Sequence, residues 1–271
     1  MAVSLERIVS RLNKQAMWEN GAVVGSINDD THIATITFGH ASSNSLPGAI
    51  LQQLAEKITD YGKDENVKII ILSTQGDKIF CAGASFDELI AIDDLETGKK
   101  FFSGFANVIN ACRKCPKLII GRVQGKAVGG GVGIASAVDY CLATTTASVK
   151  LSELAVGIGP FVVGPAVERK IGLAAMSELA INATEWRSAQ WAKEKGLYAE
   201  IYETIPEMDK QIAILALKLS NSNPAAMQAL KEIFWKGTDH WETLLMERAG
   251  ISGTLVLSDF TRQAIASFKN R

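Results

Sequence analysis

Two strand-length apolar segments are each followed by a turn of small residues and then by a helical pattern. Residues 67–73 read VKIIILS and residues 117–123 read KLIIGRV. Runs of this length and composition are typical of strands buried in a parallel sheet. Strand-like and helical segments alternate over the first two-thirds of the chain. This alternation predicts βαβ units and a mostly parallel sheet, and therefore an α/β fold.

The segments beyond residue 165 read as helices alone, which predicts a helical appendage after the α/β part. The other predicted strands are residues 32–38, 140–143 and 148–151. The predicted helices are residues 4–18, 46–61, 85–92, 101–112, 130–138, 166–181, 185–196, 206–221, 224–235 and the stretch that ends at Arg271.

Composition excludes several classes of protein. Apolar residues make up 47% and charged residues 21% of the chain, as in an ordinary globular protein. The formal net charge of −1 gives no field that would favour nucleic acid or an anionic membrane. No apolar run has the length of a membrane span. The first 18 residues lack the apolar stretch of a secretory signal, so we expect a cytoplasmic protein without nucleic-acid or membrane partners.

Four cysteines are present, and two of them form a CxxC motif at Cys112 and Cys115. A redox CxxC opens a helix that follows a strand, and a zinc site needs a second pair of ligands. Here a proline and a strand-like run follow, and no second pair exists. The sequence favours buried thiols over a redox or metal site, and no metal ligand set is predicted.

Two glycine-rich turns could together bind one oxygen atom. Residues 79–89 read IFCAGASFDEL, and residues 123–144 read VQGKAVGGGVGIASAVDYCLAT. Each turn can present unpaired backbone N–H groups at the start of a helix. Two facing turns of this kind would form an oxyanion hole, with small side chains that let a substrate reach the main chain. The glycines could instead form only a tight turn, or they could bind a phosphate, although the Lys-Ser/Thr of a P-loop is absent.

These two motifs, followed by KLSELAVGIGPFVVGP at residues 150–165, resemble the crotonase superfamily of enoyl-CoA hydratases and isomerases. The resemblance covers nearly the whole chain. It implies repeated ββα units around a sheet core over residues 1–200 and a C-terminal helical oligomerisation region over residues 201–271. It also implies an acyl-CoA thioester as substrate, no cofactor beyond the coenzyme A of that substrate, and a homotrimer or hexamer.

The resemblance also implies roles for individual residues. The backbone N–H groups of Ala84 and Gly130 would hold the thioester oxygen as it gains charge in an enolate. The turn of residues 80–84 would lie along the CoA adenine, and Phe268 would pack on the nucleotide. The residues expected to contact the substrate are Cys81, Ala82, Gly83, Gly129, Gly131, Phe161 and Phe268.

The carboxylates depart from the pattern of a typical family hydratase. Such a hydratase carries one glutamate two positions after the glycine triplet, where this chain has Gly133, and a second where this chain has Glu153. Hydration of a conjugated double bond usually uses both carboxylates to hold water and move the proton. One carboxylate suffices to move a proton from C2 to C4, so the sequence favours isomerisation of a 3-enoyl-CoA to a 2-enoyl-CoA.

Several alternatives stay open at this stage. Glu153 could instead cap a helix or form a salt bridge, and Asp87 or Glu88 could replace the missing acid. The chain could be a 2-enoyl-CoA hydratase, including one for branched or methylglutaconyl-type substrates. It could also be a non-catalytic CoA-binding subunit. Pro160 and Phe161 stand where hydratases are glycine-rich. The expected pocket walls are Phe86, Ile90, Phe101, Phe105 and Phe161.

Overall fold

The computed structural model describes residues 17–269, with side chains described through residue 267. Twelve strands lie in this part of the chain: β1 (Ala22–Asn28), β2 (Ile33–Gly39), β3 (Ser45–Leu46), β4 (Ile69–Thr74), β5 (Ile79–Cys81), β6 (Gly83–Ala84), β7 (Leu118–Val123), β8 (Lys126–Val128), β9 (Tyr140–Thr144), β10 (Ser148–Lys150), β11 (Arg187–Ser188) and β12 (Glu200–Tyr202).

The described residues 17–19 are helical, and ten α-helices and one 3₁₀ helix lie between residues 48 and 269. They are α1 (Gly48–Lys63), α2 (Phe86–Ile90), α3 (Leu95–Lys114), α4 (Gly130–Ala137), the 3₁₀ helix (Glu153–Val156), α5 (Gly164–Ile181), α6 (Ala189–Glu194), α7 (Ile205–Ser220), α8 (Pro224–Phe234), α9 (Trp241–Leu255) and α10 (Asp259–Lys269).

The strands form two main sheets and one short pair. The larger sheet has the order β1-β2-β4-β7-β9-β12, and all neighbours in it are parallel except β1 and β2. The smaller sheet has the order β11-β10-β8-β5, and β3 pairs in parallel with β6. In chain order, β4, β7 and β9 in the large sheet are followed by β5, β8 and β10 in the small one. The predicted repetition of ββα units is therefore present.

The buried face of each element explains why it forms. Strand β4 reads IIILST, and both of its faces are covered, as the apolar run predicts. Helix α3 begins six residues before the predicted start because Asp94 caps it, with its carboxylate accepting from the Thr97 N–H at 2.8 Å. Strand β1 was not predicted, because AVVGSIN mixes apolar and small polar residues at the edge of the sheet.

The prediction of helices alone beyond residue 165 is wrong at two places. Residues 187–188 form β11, which pairs antiparallel with β10, so the helix predicted over residues 185–196 is reduced to α6. The Ser188 side chain accepts from the Trp191 N–H at 3.1 Å and so starts that helix late. Strand β12 joins the large sheet beside β9 and crosses the boundary predicted at residue 200. The helix predicted over residues 4–18 lies almost entirely outside the described residues.

The C-terminal helices pack on the α/β part of the same chain. A β-carbon placed on Gly98 of α3 would lie 3.0 Å from the Cα of Gly253, so α9 and α3 approach each other backbone to backbone. Helix α8 is held by the buried ammonium of Lys231, which lies 2.8 Å from Asp139 Oδ2 and donates to the Lys117 carbonyl at 2.7 Å. An oligomerisation role for residues 201–271 stays a prediction.

The cysteines agree with the buried-thiol interpretation. Cys112 lies in the last turn of α3, and Cys115 caps its C-terminus. Both are free and buried, as are Cys81 and Cys141. Burial raises the pKa of Cys112 to about 12, so this thiol stays protonated and unreactive near neutral pH.

Candidate active site

The two glycine-rich turns lie directly against each other. A β-carbon placed on Gly131 would lie 2.4 Å from the carbonyl oxygen of Cys81, closer than real β-carbons approach any atom. One placed on Gly83 would lie 3.3 Å from the carbonyl oxygen of Val128 and 3.7 Å from the amide nitrogen of Gly130. Glycine therefore permits the close approach of β5 and β6 to the start of α4.

The two residues expected to supply backbone donors, Ala84 and Gly130, line one cavity at this junction. The Ser85 N–H donates to the Leu46 carbonyl at 2.9 Å, and N–H directions alternate along an extended strand. The N–H of Ala84 therefore points away from β3. Gly130 is the first residue of α4, where N–H groups have no partner within the helix. Both residues line the cavity, and their joint function as an oxyanion hole stays a prediction.

Gly129 makes the turn into α4 possible. Its φ of 52° and ψ of −113° are conformations that residues with a β-carbon rarely adopt. A β-carbon at this position would also lie 2.8 Å from Glu153 Oε1. The backbone of the turn and the Glu153 carboxylate are thus in contact, one residue away from the Gly130 N–H.

Glu153 is positioned by β10 and by the 3₁₀ helix that begins with it. The residue as a whole is partly exposed, but its Oε2 atom is buried and has no hydrogen-bond partner among the described residues. Burial raises the pKa of this carboxyl group to about 7. An orphaned, buried carboxylate oxygen beside a cavity indicates a site that a ligand completes.

Glu153 is the only carboxylate among the described residues that line the cavity. The two alternative acids lie outside the cavity wall. Glu88 accepts from the Gly48 N–H at 2.8 Å, and neither Glu88 nor Asp87 lines the cavity. Ser85 caps α2 by accepting from the Glu88 N–H at 3.3 Å.

Gly133 stands where a typical hydratase of the resembled family has its first glutamate. The space in front of Gly133 is filled by the side chain of Val163. A β-carbon on Gly133 would lie 2.5 Å from Val163 Cγ1 and 3.7 Å from Ile109 Cδ1. Gly133 is buried, and Val163 lines the cavity in front of it. A glutamate side chain has no room here unless Val163 is reduced in size.

The cavity has a volume of about 450 Å³, which suits a small-molecule group, and its walls are mainly apolar. Of the five predicted wall residues, Ile90 does not line it. Phe161 does, with its ring over Gly159, and Phe105 lies against Gly130. The aromatic residues that line the cavity are Phe86, Phe101, Phe102, Phe105 and Phe161.

Some of the remaining predicted site residues line the cavity, and others lie behind its wall. Ala82 lines the cavity beside Gly83 and Gly129. Cys81 and Gly131 do not line it, because they are buried behind the wall, where they hold the two turns together. Phe268 lies in α10, and its side chain is outside the described residues.

Sequence reasoning missed wall residues from distant segments. Ala183 and Thr184 follow α5, Lys150 ends β10, and Ser252 comes from α9. Ala183, Thr184 and Ser252 belong to no motif. Lys150 begins the segment KLSELAVGIGPFVVGP, but nothing in that segment indicates that its side chain lines the cavity, so only the packing of the chain reveals these four residues.

Comparison with known proteins identifies the family. A sequence model of the enoyl-CoA hydratase/isomerase family matches residues 28–262, and the chain belongs to this family, within the crotonase superfamily. A probable enoyl-CoA hydratase of Bacillus subtilis is 26% identical, over 90% of this chain and 94% of that protein. The mitochondrial methylglutaconyl-CoA hydratase of Rattus norvegicus is 30% identical, over 84% of this chain and 73% of that protein.

Solved structures show the same fold. The enoyl-CoA hydratase of Bacillus halodurans has a TM-score of 0.82 at 20% identity, over 90% of this chain and 99% of that chain. At this identity the likeness concerns the fold alone. No described helix is both long and apolar enough to cross a membrane.

Proposed function

We propose that this protein is an isomerase that converts a 3-enoyl-CoA thioester to the 2-enoyl-CoA isomer, with Glu153 as its acid and base. The observation that carries the proposal is the single carboxylate of the cavity together with the filled space at Gly133. A hydratase of the two-glutamate kind holds a water molecule between its carboxylates. Here Val163 takes that space, so water has no second holder.

The proposed reaction moves one proton along one face of the acyl chain. The Glu153 carboxylate removes a proton from C2, and the electrons of that C–H bond pass into a dienolate. The thioester oxygen, which becomes negatively charged, accepts from the N–H groups of Ala84 and Gly130. Protonated Glu153 then returns the proton at C4, and the double bond lies between C2 and C3. Removal of one such N–H donor typically costs about 3–4 kcal/mol of transition-state stabilisation.

The raised pKa of Glu153 suits this proposed role. A base with a pKa of about 7 is substantially ionised at neutral pH and is also acidic enough, once protonated, to return the proton. Its buried Oε2 has no hydrogen-bond partner among the described residues and is thus available to the substrate. The same group can therefore serve both carbons in turn.

The resemblance supplies the rest of the proposal. The CoA moiety would run along the turn of residues 80–84, and no resident cofactor is proposed, because coenzyme A arrives with the substrate. A trimer or hexamer and a cytoplasmic location are likewise proposed from the family pattern and the sequence.

The test uses purified protein and two substrates, a 2-enoyl-CoA and its 3-enoyl isomer, followed by mass spectrometry in ¹⁸O-labelled water. We expect conversion of the 3-enoyl compound without uptake of oxygen from water, and loss of this activity in Glu153→Gln. A product heavier by one water would instead establish the hydratase alternative. Tight binding of CoA esters without turnover of any of them would support a non-catalytic CoA-binding subunit.

A further inference from the structure

Two lysine side chains converge on one tryptophan ring at the edge of the cavity. Lys150 Nζ lies 4.6 Å and Lys126 Nζ 5.0 Å from the ring centroid of Trp186. Lys150 pairs with Val128 in the parallel register of β10 and β8, and Lys126 is two residues before Val128. Since side chains alternate along a strand, both lysines lie on the same face of the small sheet. We name these three residues the Lys–Trp cluster.

One member of the Lys–Trp cluster lies on the cavity wall, and the cluster is open to a ligand. Lys150 itself lines the cavity, and Thr184, two residues before Trp186, lines it as well. Trp186 keeps 39% of its surface exposed, so a small group can reach the ring and the ammonium groups.

The positive charge of the cluster has no counter-charge in the described part of the chain. No carboxylate among the described residues forms a salt bridge with Lys126 or Lys150. The nearest acid in sequence to Trp186 is Glu185, and it accepts from the Thr184 hydroxyl at 3.2 Å. Two ammonium groups held near one ring repel each other, and an anion between them would turn this repulsion into attraction.

The position of Lys150 indicates which part of a substrate would reach it. The Gly129 N–H donates to the Lys150 carbonyl at 2.9 Å, so the Lys150 backbone is directly bonded to the turn that carries Gly130. Ser152 and Glu153 follow on the same wall. The Lys150 backbone therefore lies beside the proposed position of the thioester, and its ammonium group is no farther from that backbone than the length of one lysine side chain. The phosphates of coenzyme A are separated from the thioester by the whole pantetheine arm.

We propose that the Lys–Trp cluster binds a carboxylate at the distal end of the acyl group, so that the preferred substrates are thioesters of dicarboxylic acids. This inference rests on the proposed function because it takes the position of the thioester from it. It does not depend on which reaction follows binding. The largely aromatic wall would contact the methylene groups between the two ends, while the cluster selects the charged end.

The experiment measures binding separately from turnover. Dissociation constants are determined calorimetrically for saturated, unreactive pairs of equal chain length: succinyl- and butanoyl-CoA, glutaryl- and pentanoyl-CoA, adipoyl- and hexanoyl-CoA. We expect the carboxylated member of at least one pair to bind about tenfold or more tightly, as is typical of a charge-assisted contact. This preference should disappear in Lys150→Gln and decrease in Lys126→Gln. The matched control is Lys210→Gln, at an exposed position on α7.

The other outcomes would overturn the inference, assign the cluster to a different anion, or refute the proposed isomerase alone. Equal affinities within every pair, or a preference that survives both substitutions, would overturn the inference. If both substitutions weaken the two members of a pair equally, and 3′-dephospho-CoA esters abolish that loss, then the cluster binds a phosphate of coenzyme A instead. A binding preference in a protein that isomerises neither 3-hexenoyl-CoA nor 3-hexenedioyl-CoA would retain the anion site and refute the proposed isomerase.

Discussion

The substitution Glu153→Gln should make the protein more stable at neutral pH while it removes the proposed base. Burial raises the pKa of Glu153 from 4.5 to about 7, so the folded protein holds this proton more tightly than the unfolded chain. At about 1.4 kcal/mol per pKa unit, the ionised carboxylate would cost the fold about 3 kcal/mol. Because the residue is partly exposed, solvent screening reduces this figure, and we expect about 2 kcal/mol.

The sign of the effect defines the pH range of the assay. Below pH 4.5 both states hold the proton, and burial of the neutral group costs little. Between pH 4.5 and about 7 the unfolded chain releases its proton first, so the wild-type protein loses stability as the pH rises. Glutamine resembles the protonated acid and does not titrate. The difference between variant and wild type should therefore be small at pH 4 and complete at pH 8.

Calorimetric melting from pH 4 to pH 8 measures this difference. For a chain of this length, about 2 kcal/mol corresponds to a Tm increase of about 4 °C at pH 8. The matched control is Glu65→Gln, at an exposed position, which should show no such pH-dependent gain. A difference between Glu153→Gln and wild type that does not change with pH, or a variant that melts lower at pH 8, would refute the assignment of Glu153 as a buried, destabilising carboxylate.

Three further predictions concern the same site. The kcat/KM for a 3-enoyl-CoA should fall about tenfold per pH unit below the Glu153 pKa of about 7, and a pH–rate profile that stays flat down to pH 5 would contradict this. Gly131→Ala brings a β-carbon to 2.4 Å from a carbonyl oxygen and should lower the free energy of unfolding by about 1–3 kcal/mol in urea titrations. The control Gly250→Ala, with open space around its helical position, should raise it by up to about 1 kcal/mol. Gly133→Glu should destabilise the protein by itself, because Val163 fills the space that the new side chain needs. Combination with Val163→Gly should restore folding and yield measurable hydration of a 2-enoyl-CoA. A double variant that folds and only isomerises would contradict the role in hydration given to a glutamate at position 133.

Local sequence signals were sufficient for the elements with strong patterns. The apolar run of residues 117–123 forms β7 from its second residue onward, because LIIGRV is apolar and is bounded by a proline and a polar turn. Strands β11 and β12 were missed, because two- or three-residue strands carry almost no periodicity. Their formation depends on the free edges of β10 and β9, which are tertiary features.

The parts of the site that depend on backbone were predictable, and the parts that depend on packing were not. Glycines at residues 129–131 indicate a close approach of main chains, and the structure shows that approach between Gly131 and Cys81. Gly129 lies against the side chain of Glu153 instead. The contribution of Ser252 from α9 could not be inferred, because it depends on how a distant helix docks. The Lys–Trp cluster was missed for the same reason, since its residues come from three separate segments.

Gly133 stands where a typical family hydratase has a glutamate, but the missing glutamate alone is weak evidence against hydration. What fills the space of that missing side chain is stronger evidence. A glycine in place of a glutamate could leave room for a water molecule, which other polar groups could hold for hydration. Here that room is taken by Val163, a residue 30 positions later in the segment that also carries Phe161. The two positions therefore form a complementary pair, because a larger residue at 133 requires a smaller one at 163. The proposed preference for isomerisation thus depends on a side chain that fills the space for water as much as on the carboxylate that is missing.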